Sequence, residues 1–319
     1  MNEFTIIEKY LRPLSLKSLS SLELKDDIFY DKKKGLAIST DTYVEGVHFL
    51  KSSKPNQFLK KILRASLSDL YCKGINPQTY FLSFAINKKC SKHDWMNEVK
   101  KILMSEQKKF NIILGGGDTT YSPKLIITIT VLGYSKKYPV LRNGSSFNND
   151  IYVTGTISDS YLGLNVIKRR KNFGSYNNFF KKKYYEPDLA FKLAPYLSQI
   201  ATSSIDISDG LAQDLLHICA NSKCGATINL NNLPLSSQCK NLIVKKKINL
   251  KSIFSKGDDY QILFTANIKS RSKIKKLSKK LKIKISKIGS TTKNMNVLFL
   301  DKGKKFKIAT RNMGYTHVF

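Results

Sequence analysis

The 319-residue chain reads as a two-part α+β protein. Two observations predict this. Short apolar, β-branched stretches alternate with stretches whose apolar residues recur at helical spacing, and a turn-rich passage at 141–150 (LRNGSSFNND) breaks that alternation near the middle. The length suits domains of about 100–200 residues, and a hydrophobic content of 41% is ample for buried cores.

Gly35–Thr40 (GLAIST) and Tyr80–Ile86 (YFLSFAI) have the short apolar runs of strands, and Leu125–Gly133 (LIITITVLG) alternates threonine with aliphatic residues. Between them, Lys60–Lys73 carries Ile62, Leu63, Leu67 and Leu70 at helical spacing, and Trp95–Phe110 is a second amphipathic helix. The order β, α, β, α, β predicts helices laid on one sheet. A boundary near residue 140 gives domains at 1–140 and 141–319. Past it come a strand at Ile151–Thr154, a helix at about 158–168, a polar surface segment at 171–185 and helices at about 188–200 and 209–221. Strands at 226–230 and Tyr260–Thr265, a lysine-rich helix at 267–281 and a last pair of strands complete the chain.

Lys+Arg 55 against Asp+Glu 23 gives a net charge of +32, which ordinarily suggests a polyanionic partner. Here the lysines are spread over nearly every segment, together with much Asn, Ile, Tyr and Phe, as AT-rich codon usage would produce. The densest runs, Lys181–Lys183, Lys245–Lys247 and 273–284, have no interleaved aromatic platform, so no nucleic-acid partner is expected. Cys72, Cys90, Cys219, Cys224 and Cys239 form neither a CxxC pair nor a zinc-ligand spacing. Residues 1–10 lack a signal-peptide core, and no run approaches the ~18 apolar residues of a span. A cytoplasmic protein with no membrane partner is expected.

In so acid-poor a chain the placement of carboxylates is informative. Asp26 and Asp27 precede a strand, Asp41 follows Ile38–Thr40, and Asp69 lies on the first helix. Asp118 belongs to Gly115–Thr120 (GGGDTT), read as a loop able to offer successive N–H groups to an anion. Asp206 and Asp209 flank Ser208 before Gly210, and Asp258 and Asp259 follow Gly257. Carboxylate and hydroxyl oxygens suit Mg²⁺, which keeps several waters and binds with substrate phosphates. Singly, each is equally a turn or capping residue; Asp206 and Asp209 would cap a helix starting at Gly210. The Gly115–Gly117 run is not a Walker motif, because no Lys-Ser/Thr follows it.

In sequence, Ile38–Phe49 (ISTDTYVEGVHF), Leu67–Leu70 (LSDL), Gly116–Thr120 (GGDTT), Tyr152–Thr156 (YVTGT) with Asp159 and Ser160, Ile205–Leu211 (IDISDGL), Gly257–Tyr260 (GDDY) and Gly314–His317 (GYTH) cover almost the whole chain. Together they resemble the thiamine-monophosphate kinase family. The resemblance implies an aminoimidazole-ribonucleotide-synthetase-like fold, its N-terminal domain pairing with that of a second subunit in a shared β-barrel and its C-terminal domain an α/β layer. It implies a homodimer that converts ATP and thiamine monophosphate into ADP and thiamine diphosphate with several Mg²⁺ ions. By position, Asp27, Ser39, Thr40, Asp41, Asp69, Asp118, Asp206 and Asp209 fall on metal-binding positions, with Asp41 and Asp209 taken as the catalytic pair. Gly117, Asp118, Arg142 and Ser208 fall on nucleotide contacts, and His48, Asp258 and Asn312 on acceptor contacts. Asp258 stands where the family has Glu, Asn312 where it has an aromatic residue, and Tyr121 where it has Arg. Sister enzymes of the superfamily are the nearest rivals; selenide water dikinase needs a reactive residue near its N-terminus, and no Cys precedes Cys72.

Overall fold

A computed structural model describes residues 3–51, 53–306 and 314–315. After a short helical lead come β1 (Phe29–Asp31), β2 (Leu36–Val44), α1 (Leu59–Tyr71), β3 (Pro77–Ile86), α2 (His93–Phe110), β4 (Ile113–Tyr121) and β5 (Ile126–Tyr134). They form a five-stranded sheet in the order β1-β2-β5-β3-β4. Period-two alternation gives this sheet two unlike faces. Ala37, Tyr43, Tyr80, Leu82, Ile127, Ile129 and Val131 are buried against α1 and α2. On the other face Thr40 bonds Thr130 at 2.8 Å and Thr42 bonds Thr128 at 2.9 Å, all four in exposed pairs.

The second sheet has seven strands in the order β12-β11-β8-β10-β6-β9-β7. These are β6 (Asp150–Thr154), β7 (Ser203–Asp206), β8 (Gly225–Asn229), β9 (Ile262–Ala266), β10 (Ile285–Thr292), β11 (Val297–Asp301) and β12 (Lys304–Phe306). Its main helices are α3 (Asp159–Ile167), α4 (Asn177–Tyr185), α5 (Leu211–Ser222), α6 (Ser237–Val244) and α7 (Arg271–Leu281). Every residue of β6, β7 and β9 is buried. β7 ends the sheet, yet its edge is not bare. Ser204 donates its N–H to the Leu141 carbonyl at 2.9 Å, and Lys73 reaches the Ser204 carbonyl at 3.0 Å. This seals an edge that would otherwise invite pairing and lays the end of α1 against β7. As a result α1 is buried nearly all round, polar residues included. Arg64 is one of these; it grips Glu106 of α2 through two bonds of 2.7 and 2.8 Å.

Several expectations are corrected. Gly115–Thr120 is not a loop but most of strand β4, which runs parallel to β3. A Cβ on Gly117 would lie 1.8 Å from the Leu82 carbonyl oxygen, so the glycine permits close backbone approach to a strand rather than to an anion. Asp41 lies within β2, not after it. Segment 171–185 contains helix α4, which buries Phe180 and Tyr184 one turn apart. The expected helix at 188–200 is two short turns, Phe191–Leu193 and Ala194–Leu197. Within one chain the N-terminal sheet stays open, with β1 and β4 as its outer strands, and closes into no barrel.

Candidate active site

Odd-numbered residues of β2 face α1, so Ser39 and Asp41 meet the polar side chains of that helix. Ser39 Oγ donates to Asp69 Oδ2 at 2.6 Å. The Tyr43 hydroxyl donates to Asp41 Oδ2 at 3.0 Å and shares a 2.9 Å bond with Ser66. Two residues on, and on a different side of α1, Ser68 Oγ donates to Asp206 Oδ2 at 2.6 Å, joining α1 to the end of β7. Asp209 follows in the β7–α5 loop, and Asp214 on α5 accepts the Gly210 N–H at 3.0 Å. Asp214, not Asp206 or Asp209, therefore closes the start of α5.

These carboxylates gather with hydroxyls as partners and little positive charge. Burial, then Asp41 and Asp206, push Asp69 well up from the ordinary carboxylate range. Burial, then Asp209 and Asp206, do the same to Asp214. Burial first and neighbouring acids second raise Asp206 to about 6 and Asp209 to about 7. Such a group destabilises itself unless protons or external cations are taken up.

Asp26 and Asp27 are treated differently. Lys73, fully buried, places Nζ 2.9 Å from Asp26 and 2.7 Å from Asp27. Arg142 forks onto Asp27 through Nε at 3.2 Å and through a second, shorter contact, and gives its backbone N–H to Asp26 at 2.7 Å. Burial alone would raise Asp27, but the guanidinium and the ammonium outweigh it and hold the carboxyl well below its usual range.

A third group adjoins the cluster. Asp258 takes a left-handed conformation, φ 70°, and gives its N–H to the Ser208 carbonyl at 2.8 Å, beside Asp209. Its Oδ1 accepts Lys61 Nζ at 2.8 Å and the Tyr260 hydroxyl at 2.9 Å. The Lys61 ammonium lies 3.9 Å from the centre of the Tyr184 ring. His48 Nδ1 accepts the Val44 N–H at 3.0 Å, which leaves Nε2 to carry the proton of the neutral ring.

The structure thus brings together Ser39, Asp41, Asp69, Asp206 and Asp209, with Asp27 nearby and already paired. It does not bring Thr40, Gly117 and Asp118 into that group. Thr40 points to the open face, and Asp118, exposed on β4, is registered with Ser83 and through it with Thr128 of the same face. Asn312 lies outside the described residues. Ser66, Ser68, Lys73 and Asp214 adjoin the site and had no role assigned from the sequence; Ser68 lay unread inside Leu67–Leu70 (LSDL), and Ser66 and Asp214 showed only as polar residues interrupting the apolar pattern of α1 and α5.

Whether magnesium suits this site follows from the donors. Among the described residues no three His, Cys, Asp or Glu converge on one point. The described residues thus form no all-protein cage, while their carboxylate and hydroxyl oxygens, without ion-pair partners, fit a hard divalent cation completed by water and phosphate.

The two α/β layers, joined where Ser68 of α1 meets Asp206 at the end of β7, belong to the aminoimidazole-ribonucleotide-synthetase-like superfamily: residues 25–135 match the family described as AIR synthase related protein, N-terminal domain. The chain is 36% identical to thiamine-monophosphate kinase of Buchnera aphidicola subsp. Schizaphis graminum over 325 residues, covering 99% of this chain and 98% of that one. It is 31% identical to the Escherichia coli K12 enzyme of the same name, again over 99% of this chain and 98% of that one. The solved structure of AaThiL complexed with AMPPCP and TMP superposes with a TM-score of 0.84 at 25% identity, covering 99% of this chain and 97% of that chain. The chain belongs to the thiamine-monophosphate kinase family.

Proposed function

We infer that this chain phosphorylates thiamine monophosphate with ATP, giving thiamine diphosphate and ADP in thiamine diphosphate synthesis. The observation that carries the reading is the meeting of Ser39, Asp41, Asp69, Asp206 and Asp209 from β2, α1 and β7–α5 without a neutralising lysine or arginine of their own. Two polyphosphate anions are drawn into such a site only along with cations. Bound Mg²⁺ would supply the positive charge that offsets the phosphates and steadies the charge developing during transfer.

Ser39, Asp41, Asp69, Asp206 and Asp209 would share the Mg²⁺ ions among them, each ion completed by water and phosphate, with Asp41 and Asp209 the most critical and Asp27 contributing at the edge. Thr40, Gly117 and Asp118 act from the open face, and Arg142 and Ser208 serve the nucleotide. His48 and Asp258 orient the acceptor. An acceptor phosphate oxygen attacks the γ-phosphorus in line while the bond to the β,γ-bridging oxygen breaks and ADP leaves. No general base is needed, because a phosphate-monoester oxygen is already largely ionised at neutral pH.

Residues 1–140 serve as the ATP-binding and dimerisation domain and 141–319 as the synthetase-like domain. A homodimer is supported by the exposed apolar surface of Phe81, Ile113, Leu114 and Tyr121, on the edge strand β4 and its neighbour β3. A cytoplasmic location agrees with five free cysteines and with the lack, among the described residues, of any helix long and apolar enough to cross a membrane. A coupled ADP-release assay with ATP, Mg²⁺ and either thiamine monophosphate or thiamine tests the activity. Turnover with the monophosphate is expected; turnover with thiamine alone would overturn the acceptor.

A further inference from the structure

We infer that Lys61 is a positioning residue for the acceptor: it locks one oxygen of Asp258 so that the other is presented to the substrate. The inference rests on the reading of Asp258 as an acceptor contact. Two donors, Lys61 Nζ and the Tyr260 hydroxyl, converge on Oδ1 of Asp258. Among the described residues Oδ2 has no hydrogen-bond partner, and the Asp258 side chain keeps 29% of its surface exposed, against 5% for Lys61. Lys61 is therefore too enclosed to meet a substrate, whereas Oδ2 is open to a donor or cationic group.

The clamp also has something to hold. Asp258 and Tyr260 both sit at positive φ, 70° and 51°, where a side chain is disfavoured. Their N–H groups are pinned to the carbonyls of Ser208 and Ile207 at 2.8 Å. The short Asp258 side chain has little reach of its own, so the direction of its carboxylate is set by whatever grips Oδ1. Lys61 itself is fixed by the Tyr184 ring, whose hydroxyl contacts the His48 carbonyl. The lysine thus links Asp258, through the Tyr184 ring, to the backbone of His48. Burial opposes the charge on Lys61, and Asp258 outweighs it, so the ammonium stays protonated.

The test is steady-state kinetics of Lys61→Met, Asp258→Asn, the double variant and Lys61→Arg, with thermal unfolding alongside. Lys61→Met and Asp258→Asn should each raise KM for thiamine monophosphate by about tenfold, leave KM for ATP unchanged, and combine to no more than the larger single effect. Lys61→Arg should restore most of the loss. If Asp258→Asn raises KM and Lys61→Met does not, or if the two effects multiply, the positioning role is wrong while the acceptor site stands. If Asp258→Asn leaves KM untouched, the acceptor assignment itself fails.

Discussion

Two acidic pockets lie side by side in this molecule and are built on opposite terms. Around Asp26 and Asp27 the fold supplies its own cations, Lys73 and Arg142, one of them wholly enclosed. Around Asp41, Asp69, Asp206, Asp209 and Asp214 it supplies serine and tyrosine hydroxyls and, among the described residues, no ion-pair partner, so burial and neighbouring acids push the carboxyls up and favour uptake of protons or cations. The first pocket is finished when the chain folds and joins the two sheets. On the proposed reading, the second would be completed by cations brought in with the two phosphate anions. Neighbouring carboxylates are thus set apart by what surrounds them, one group already ion-paired and the other not.

Removing the enclosed cation should have the largest effect. Lys73→Met leaves Asp26 and Asp27 buried with Arg142 alone, and breaking such a pair costs about 3–5 kcal/mol; urea denaturation should show a loss of that order. In the open pocket the outcome reverses. Asp41→Asn or Asp209→Asn should lower turnover by roughly 10²-fold or more, since several kcal/mol of charge stabilisation depend on the metal they hold. Stability should hold or rise, because a repulsive charge is gone. A variant with near-normal kcat would remove that residue from the metal set.

The pockets should also answer pH with opposite signs. Asp27 is held below its unfolded value, so its contribution is present above the unfolded carboxylate range and is lost as pH falls through that range toward the folded value. Asp209 is raised to about 7 from an ordinary 3.8, so metal-free folded protein holds a proton the unfolded chain has released. Its contribution therefore declines as pH rises from about 4 through about 7. Metal-free denaturation of Asp209→Asn should show it gaining on the parent over that window, and a constant gap would contradict the assignment. The smallest effect should come from the open face of the N-terminal sheet. Thr42→Val lies away from both pockets, and its stability should stay within about 0.5 kcal/mol of the parent.

Much of this was legible in the sequence. Leu125–Gly133 reads as a strand because its threonines and aliphatics alternate, and β5 occupies Ile126–Tyr134. Lys60–Lys73 reads as a helix from its apolar spacing, and α1 runs Leu59–Tyr71. Motif order found the carboxylates, but not which face each one takes. Thr40 and Asp41 are consecutive on a strand, so their side chains leave opposite faces of the sheet, and a residue-by-residue reading joins what the pleat separates. Nor did spacing reveal that Lys73 pairs across to Asp26 and Asp27, since that contact exists only after α1 docks on β7. The glycines at 115–117 suggested a loop because flexibility and close backbone approach look alike in sequence.

The contrast between a self-neutralised and an open pocket is tested most directly by thermal unfolding of the parent and of Asp69→Asn, near pH 7.5, with and without Mg²⁺ and ATP. The parent should melt at a markedly higher temperature when both are added, as expected for ligands bound only by the folded state. Asp69→Asn should start at or above the metal-free parent and gain little. Equal gains in the two proteins would contradict the account, because the cations would then be binding somewhere other than the open carboxylate pocket.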